Sequence, residues 1–344
     1  MHPPERALRV GILGTGWVAG ARHFPIYQKR KETEVVAVCD QRQQRAEAFA
    51  NARGIGFATD SLTDFFAQGL DLVSICTPPF AHRDEAIAAL TAGCNVFMEK
   101  PMAMTSEDAH AIARVATESG NLLCISHNFL YSRSMQRLRQ VLDSGEAGQI
   151  QFVLGLQASS PRRRLPSWYG TLPGGLFFDE SPHLLYLIAG LLGDLQLVSA
   201  TATATAPGAE QPLRSVHAVL TSAVAPATVT MTFETPISEW HLIVVCEHRV
   251  LMADLFRDIS IVLGSDGAHH AKDILKTSLS VGAQHLGGFA KSGAQLAARK
   301  QYWGHETLIS KVIDAVLYKT PSPVPLDDSL RVVSVTDAIL HAIN

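Results

Sequence analysis

Short apolar runs alternate with amphipathic stretches through the first third of the chain. Leu8–Leu13, Glu34–Cys39, Asp71–Cys76, Asn95–Met98 and Leu122–Ser126 are too short for buried helices and read as strands. Between them, Ala81–Ala92 and Ser106–Ser119 repeat apolar residues at helical spacing. This alternation predicts an α/β domain over residues 6–127, a doubly wound parallel sheet with helices on both faces. Arg133–Asp143 reads as a further helix, ended by the turn Asp143-Ser-Gly-Glu-Ala-Gly148.

The texture changes after Gln149. Gln151–Ser159, Leu197–Ala206, Arg214–Val224, Thr228–Glu234 and Trp240–Cys246 follow one another as strands with few helices between them. That succession predicts an α+β domain over 128–344 with a mainly antiparallel, open sheet. Two helices, His305–Tyr318 and Asp328–Ile343, close the chain, and the last is able to dock back on the first domain. The Gly-punctuated stretch Gly282–Lys300 reads as a lid, an oligomer contact or an ordinary surface segment.

Composition narrows the class. The 344 residues are 47% hydrophobic and 18% charged, with a net charge of -3, so no basic field favours nucleic acid. No apolar run is long enough to span a bilayer, and the N-terminus lacks the core of a secretion signal. The five cysteines form no CxxC pair and sit in strand-like stretches, as expected of reduced thiols in a cytoplasmic protein. Neither the tryptophans nor the remaining histidines, His269-His270 included, show metal-ligand spacing, so no metal site is expected.

Gly14-Thr-Gly16-Trp17-Val18-Ala19 follows the first strand and opens a helix, matching the dinucleotide fingerprint in the context it requires. Gly14 permits the tight turn, Gly16 lets the backbone approach a pyrophosphate, and Ala19 keeps the helix near the sheet. The helix N-terminus then offers its N–H groups to phosphate. A Rossmann domain follows from this placement. Roughly twenty residues further on, the second strand ends at Asp40, suited to the adenosine ribose hydroxyls and unfavourable to a 2′-phosphate. NAD is therefore the expected cofactor, with NADP kept open by Arg42 and Arg45. Asp40 can also cap the segment after it.

Val96-Phe-Met-Glu99-Lys100-Pro101-Met-Ala103 ends a strand on a charged pair and a proline that cannot donate to a sheet. Ligands collect beyond the carboxyl ends of parallel strands, so Lys100 stands where an amine reaches cofactor and substrate. Another strand ends Cys76-Thr77-Pro78-Pro79-Phe80-Ala81-His82. T-P-x-x-x-H followed by E-K-P resembles the glucose-fructose oxidoreductase/inositol dehydrogenase/rhizopine catabolism (Gfo/Idh/MocA) family. That resemblance implies a Rossmann domain joined to an α+β domain whose open sheet mediates assembly as a homodimer or homotetramer. It further implies that Thr77, Pro78, His82, Glu99 and Lys100 border the cofactor with Trp17 and Val18. Pro79 departs from the asparagine common in the family, and His82 is also suited to supporting its loop.

In the second domain, Gly174-Gly175-Leu-Phe-Phe-Asp179-Glu-Ser-Pro-His183 is similar to the family's glycine-rich approach to D-x-x-x-H. Ser181-Pro182 reads as an N-cap followed by proline at the first helical position, which puts His183 in the first turn and Asp179 just before it. The resemblance implies a catalytic set of Lys100, Asp179 and His183. Asn128, Tyr131 and Arg133 follow the last Rossmann strand, where relatives contact substrate. Arg162-Arg163-Arg164 with Trp168 and Tyr169 suggests an anionic substrate, or solvated arms on a loop. The substrate-binding set is thus Asn128, Arg163, Trp168, Tyr169, Asp179 and His183.

The expected activity is hydride transfer between NAD(P) and a secondary alcohol of a sugar, polyol, sugar acid or nucleotide sugar. His183 would take the hydroxyl proton, Lys100 would stabilise charge on the oxygen, and Asp179 would fix substrate hydroxyls. An NAD-dependent glycosidase with no net redox change is the alternative, and a non-catalytic sensor a third reading.

Overall fold

The computed structural model describes residues 6–205, 211–265, 267, 270–298 and 303–343. Ala206, His269, Arg299 and Lys300, which figure in the sequence readings, lie outside them. The chain divides into two compact units, Met1–His127 with His305–Ser334, and Asn128–Gly304 with Val335–Asn344.

The first unit carries strands β1 (Leu8–Leu13), β2 (Thr33–Cys39), β3 (Phe57–Thr59), β4 (Leu72–Ile75), β5 (Asn95–Met98) and β6 (Leu123–Ile125). They form one sheet in the order β3-β2-β1-β4-β5-β6, parallel throughout. The order reverses direction between β1 and β4, the place where doubly wound sheets bind ligands. Helices α1 (Phe24–Lys29), α2 (Gln43–Asn51), α3 (Leu62–Phe66), α4 (His82–Thr91) and α5 (Ser106–Ser119) connect the strands. Burial on both faces explains the unbroken apolar runs: Val96, Phe97 and Met98 of β5 are all fully buried. Helix α5 shows the local logic plainly. The Thr105 hydroxyl accepts from Asp108 N–H at 3.1 Å, Gly120 ends the helix at φ 68°, and Ala109, Ile112, Ala113 and Ala116 face the core.

The second unit begins with α6 (Arg133–Asp143), β7 (Ile150–Ala158) and α7 (Leu176–Leu192). Strands β8 (Gln196–Ala204), β9 (Leu213–Thr221), β10 (Ala227–Thr232), β11 (Glu239–Cys246), β12 (Val250–Asp254) and β13 (Ile259–Leu263) follow. Its seven-stranded sheet runs β13-β12-β11-β7-β10-β9-β8, antiparallel except for the β7–β10 pair. Alternation puts Val216, Ala218 and Leu220 of β9 inside. Helix α7 packs closely on β7, because Gly155 leaves its space to Leu184 and Ile188. Helices α8 (Ala271–Ala297), α9 (His305–Tyr318) and α10 (Leu326–Ile343) complete the chain. The mainly antiparallel second sheet is the one the sequence predicted, with β12 and β13 as additions. No described helix is long and apolar enough to cross a membrane.

One local expectation is overturned. Helix α7 starts at Leu176, not at Ser181-Pro182, so Asp179 lies in its first turn and Pro182 inside it. Gly174 and Gly175 at φ 67° and 59° turn the chain into the helix, and the Gln211 side chain accepts from Leu176 N–H at 2.9 Å. These features cap the helix before the Ser-Pro signal, and the proline costs only a bond to the Phe178 carbonyl.

Candidate functional site

The loop from β1 into the first helix is held from below. Gly14 adopts φ 85°, and a Cβ there would stand 2.8 Å from the Thr77 side chain and 2.9 Å from backbone. No larger residue fits. A Cβ at Gly16 would meet nothing within 4 Å, so the main chain there is open to an approaching diphosphate, as the fingerprint requires. Trp17 is exposed, with the Arg22 guanidinium 4.9 Å from its ring centroid, and Val18 stands just before the first helical turn, Ala19–His23.

Asp40 is buried at the end of β2. Its Oδ2 accepts from Thr15 N–H at 3.0 Å and from the Thr15 hydroxyl at 2.8 Å, and its Oδ1 accepts from Arg42 N–H at 3.1 Å. Burial opposes ionisation, but these hydrogen bonds outweigh it and hold the carboxyl below the usual carboxylate range. Arg45 Nε stands 3.9 Å from Oδ2. Asp40 thus ties down the glycine loop from the end of β2. An open surface cavity of about 580 Å³ runs along the glycine loop, lined by Thr15, Gly16, Trp17, Arg45, Phe49 and Arg53. The residues present fit a bound dinucleotide.

At the ends of β4 and β5, buried His82 bridges two loops, its ring nitrogens 2.9 Å from the Thr77 carbonyl and 2.8 Å from the Pro101 carbonyl. Thr77 donates its hydroxyl to Glu85, whose carboxyl burial pushes up to about 7. Glu99 is also buried. Its Oε1 accepts from His23 Nε2–H at 2.9 Å and lies 3.6 Å from His305 Nε2. Ser74 Oγ lies 2.7 Å from His23 Nδ1, and burial holds this imidazole below its ordinary value. Burial works against the Glu99 charge, yet both histidines together keep its carboxyl well below the ordinary range. His23, Glu99 and His305 hold their ligand atoms within 4.8 Å, a cluster drawn from three distant segments that sequence spacing could not reveal. Lys100, next in the chain, is half-buried.

In the second unit, every residue of α7 from Leu176 to Ala189 is buried except Asp179 and His183. Four residues apart, the two share one helical face. His183 Nδ1 lies 3.0 Å from the Tyr186 hydroxyl, which accepts from Phe129 N–H at 3.1 Å and donates to Asn128 Oδ1 at 3.3 Å. Tyr186 and Asn128 thus orient the His183 ring through its Nδ1 edge. The His183 ring also contacts Phe129 and Trp240, with centroids 5.1 and 5.4 Å away. The Trp240 indole N–H is buried with no hydrogen-bond partner among the described residues. Tyr186 and Trp240 were not singled out from the sequence. A tyrosine three residues past the histidine was the available signal.

Among the expected substrate groups, Asn128 has its amide engaged at both ends, donating also to the Trp303 carbonyl at 2.8 Å. Arg163 pairs with buried Glu180, which accepts from Gln157 and Ser159 too. Burial brings the Arg163 guanidinium down to about 10. Its charge is balanced inside the protein, whereas Arg162 and Arg164 are exposed. Tyr169 is buried in a short turn, and Trp168 beside it is half-buried. Arg133 holds Asp258 at 3.0 Å.

A parallel sheet of this order with a glycine-rich loop after β1 and an acid after β2 defines a dinucleotide-binding domain. Residues 8–127 match the GFO/IDH/MocA oxidoreductase family, NAD-binding Rossmann fold, and residues 135–252 match the GFO/IDH/MocA C-terminal domain. The chain belongs to this family. It is 34% identical over 193 residues to D-glucoside 3-dehydrogenase of Escherichia coli K12, covering 54% of each chain. It is 31% identical over 199 residues to inositol 2-dehydrogenase of Rhizobium meliloti 1021, covering 57% of this chain and 58% of that one. The matches therefore span about half the length of these curated relatives. The fold is shared with levoglucosan dehydrogenase, at a TM-score of 0.82 and 16% identity over 98% of this chain and 96% of the other.

Proposed function

We propose that the chain is an NAD(P)-dependent oxidoreductase acting on a secondary alcohol of a sugar, polyol, sugar acid or nucleotide sugar. The observation that carries this reading is the α7 face on which Asp179 and His183 alone interrupt a buried run, in a chain that also holds the fingerprint loop and Lys100. Glucoside and inositol in the names of the relatives support a carbohydrate or polyol. Gly14, Gly16, Asp40 and the Thr77-Pro78 turn hold the cofactor, and Asp40 favours NAD. When bound, the nicotinamide supplies the hydride acceptor.

His183 Nε2 takes the proton of the reacting hydroxyl, with Tyr186 holding the ring by its opposite nitrogen. Lys100 donates to the same oxygen and stabilises the charge that develops on it. Asp179 binds neighbouring hydroxyls.

The test is parallel binding of NAD and NADP, followed by polyols, sugars, sugar acids and nucleotide sugars read at the reduced-nicotinamide absorbance band. The reading requires tighter NAD binding and accumulation of NADH with a member of the panel. Turnover without net NADH would assign redox-neutral chemistry instead, and binding of neither cofactor would refute the proposal.

A further inference from the structure

Helix α8 inverts the usual arrangement of a surface helix, which turns its apolar stripe to the core. Its inner face, apart from half-buried Val281, is polar or small and covers the sheet edge formed by β13. Gln284 acts there as a substitute strand, accepting from Val262 N–H at 2.9 Å and donating to the Val262 carbonyl at 3.1 Å. One turn further, a Cβ on Gly288 would lie 2.7 Å from Ile259, so no side chain fits. Ser292, another turn on, donates to the Arg257 carbonyl at 2.7 Å. It is the one buried residue described in α8.

The large apolar residues lie on the other side. Leu275, Leu279, Leu286, Phe289 and Leu296 are each 60–68% exposed. With Gly282 and Gly293 they recur at alternating steps of four and three, Leu275-Leu279-Gly282-Leu286-Phe289-Gly293-Leu296. That is the 3.5-residue repeat of a helix that wraps a second helix, sustained over about 30 Å.

We propose that this stripe pairs with the same stripe of a second copy of the chain, forming a helix-to-helix contact between protomers. The repeat is self-complementary, and the two glycines let the backbones approach. The five large side chains with their flanks expose on the order of 600 Å² per protomer, near the lower limit for a stable interface. Between Leu275 and Leu296 the charged residues are Lys276 and Lys291 alone, fewer than the basic polar face of a helix lying on a membrane carries. The surface is distinct from the open sheet that the family resemblance nominated for assembly.

The test compares the mass of the full-length 37.2 kDa chain with that of Leu279→Glu/Leu286→Glu, by light scattering at tens of micromolar. Both substitutions fall on exposed positions, and circular dichroism verifies the fold. The proposal predicts an even-numbered oligomer whose mass halves in the double variant. A second arm uses Leu286→Cys, since all five native cysteines are buried. Paired helices place these thiols within about one helix diameter whichever way they run, so a short bis-maleimide links two chains. A monomeric parent, an unchanged mass in the double variant, or no cross-linked dimer overturns the proposal. Co-sedimentation of a monomeric parent with anionic vesicles would give the face to a membrane instead.

Discussion

The Asp40 carboxylate accepts both the backbone N–H and the hydroxyl of Thr15, at 3.0 and 2.8 Å. One acid therefore anchors the glycine loop, and the proposed cofactor site gives it the ribose hydroxyls as well. Asp40→Ala should weaken NAD binding by roughly 10-fold or more and move the NAD-to-NADP preference toward NADP, since a charge-assisted hydrogen bond contributes about 1.5–3 kcal/mol. Calorimetric titration with both cofactors measures this. Undiminished discrimination would remove Asp40 from cofactor selection.

Glu85 is a buried acid whose folded-state pKa, about 7, exceeds the unfolded value. Between about pH 4.3 and 7 the native chain holds a proton that the unfolded chain has released, so this contribution is lost as pH rises. Glu85→Gln keeps an acceptor for Thr77 and removes the ionisation cost. It should raise stability at pH 8 by roughly 2–3 kcal/mol and change it little at pH 5. The buried histidines act in the opposite sense. His23 and His82 are held below the ordinary value by burial, as is His127, at about 3. Below about pH 6.5 the unfolded chain binds the extra protons, so the melting temperature of both proteins falls toward acid. Denaturant titrations at the two pH values decide the Glu85 effect, and equal gains at both would contradict it.

The proposed function gives Tyr186 a positioning role toward His183. Tyr186→Phe removes the hydroxyl that meets Nδ1 at 3.0 Å and frees the histidine ring. Turnover should fall roughly 10-fold with little change in KM, and the alkaline plateau of the pH–rate profile should shift. An unaltered profile would reduce Tyr186 to packing.

The first sheet was legible because parallel strands buried on both faces write themselves as short apolar runs between glycine turns. β3 escaped, being three residues long, and β12 and β13 escaped because Val250–Asp254 and Ile259–Leu263 are brief and lie close together. The start of α7 was misplaced because Ser181-Pro182 carries a genuine helix-start signal, while the actual cap, Gln211, is distant in sequence. Distance also hid the Glu99 environment. His23 and His305 are supplied by segments far from Glu99, and nothing in the local pattern announces that they meet. Lys100, Asp179 and His183 were named from motif likeness, and the structure adds the neighbours that orient His183.

The most direct test of the account is the rate of NADH formation by Lys100→Met on whichever alcohol the parent oxidises, measured beside NAD affinity. Lys100 is assigned to the reacting oxygen, so the rate should drop by about 100-fold or more while the NAD dissociation constant stays within about threefold. A variant that oxidises the alcohol at the parent's rate would contradict the account.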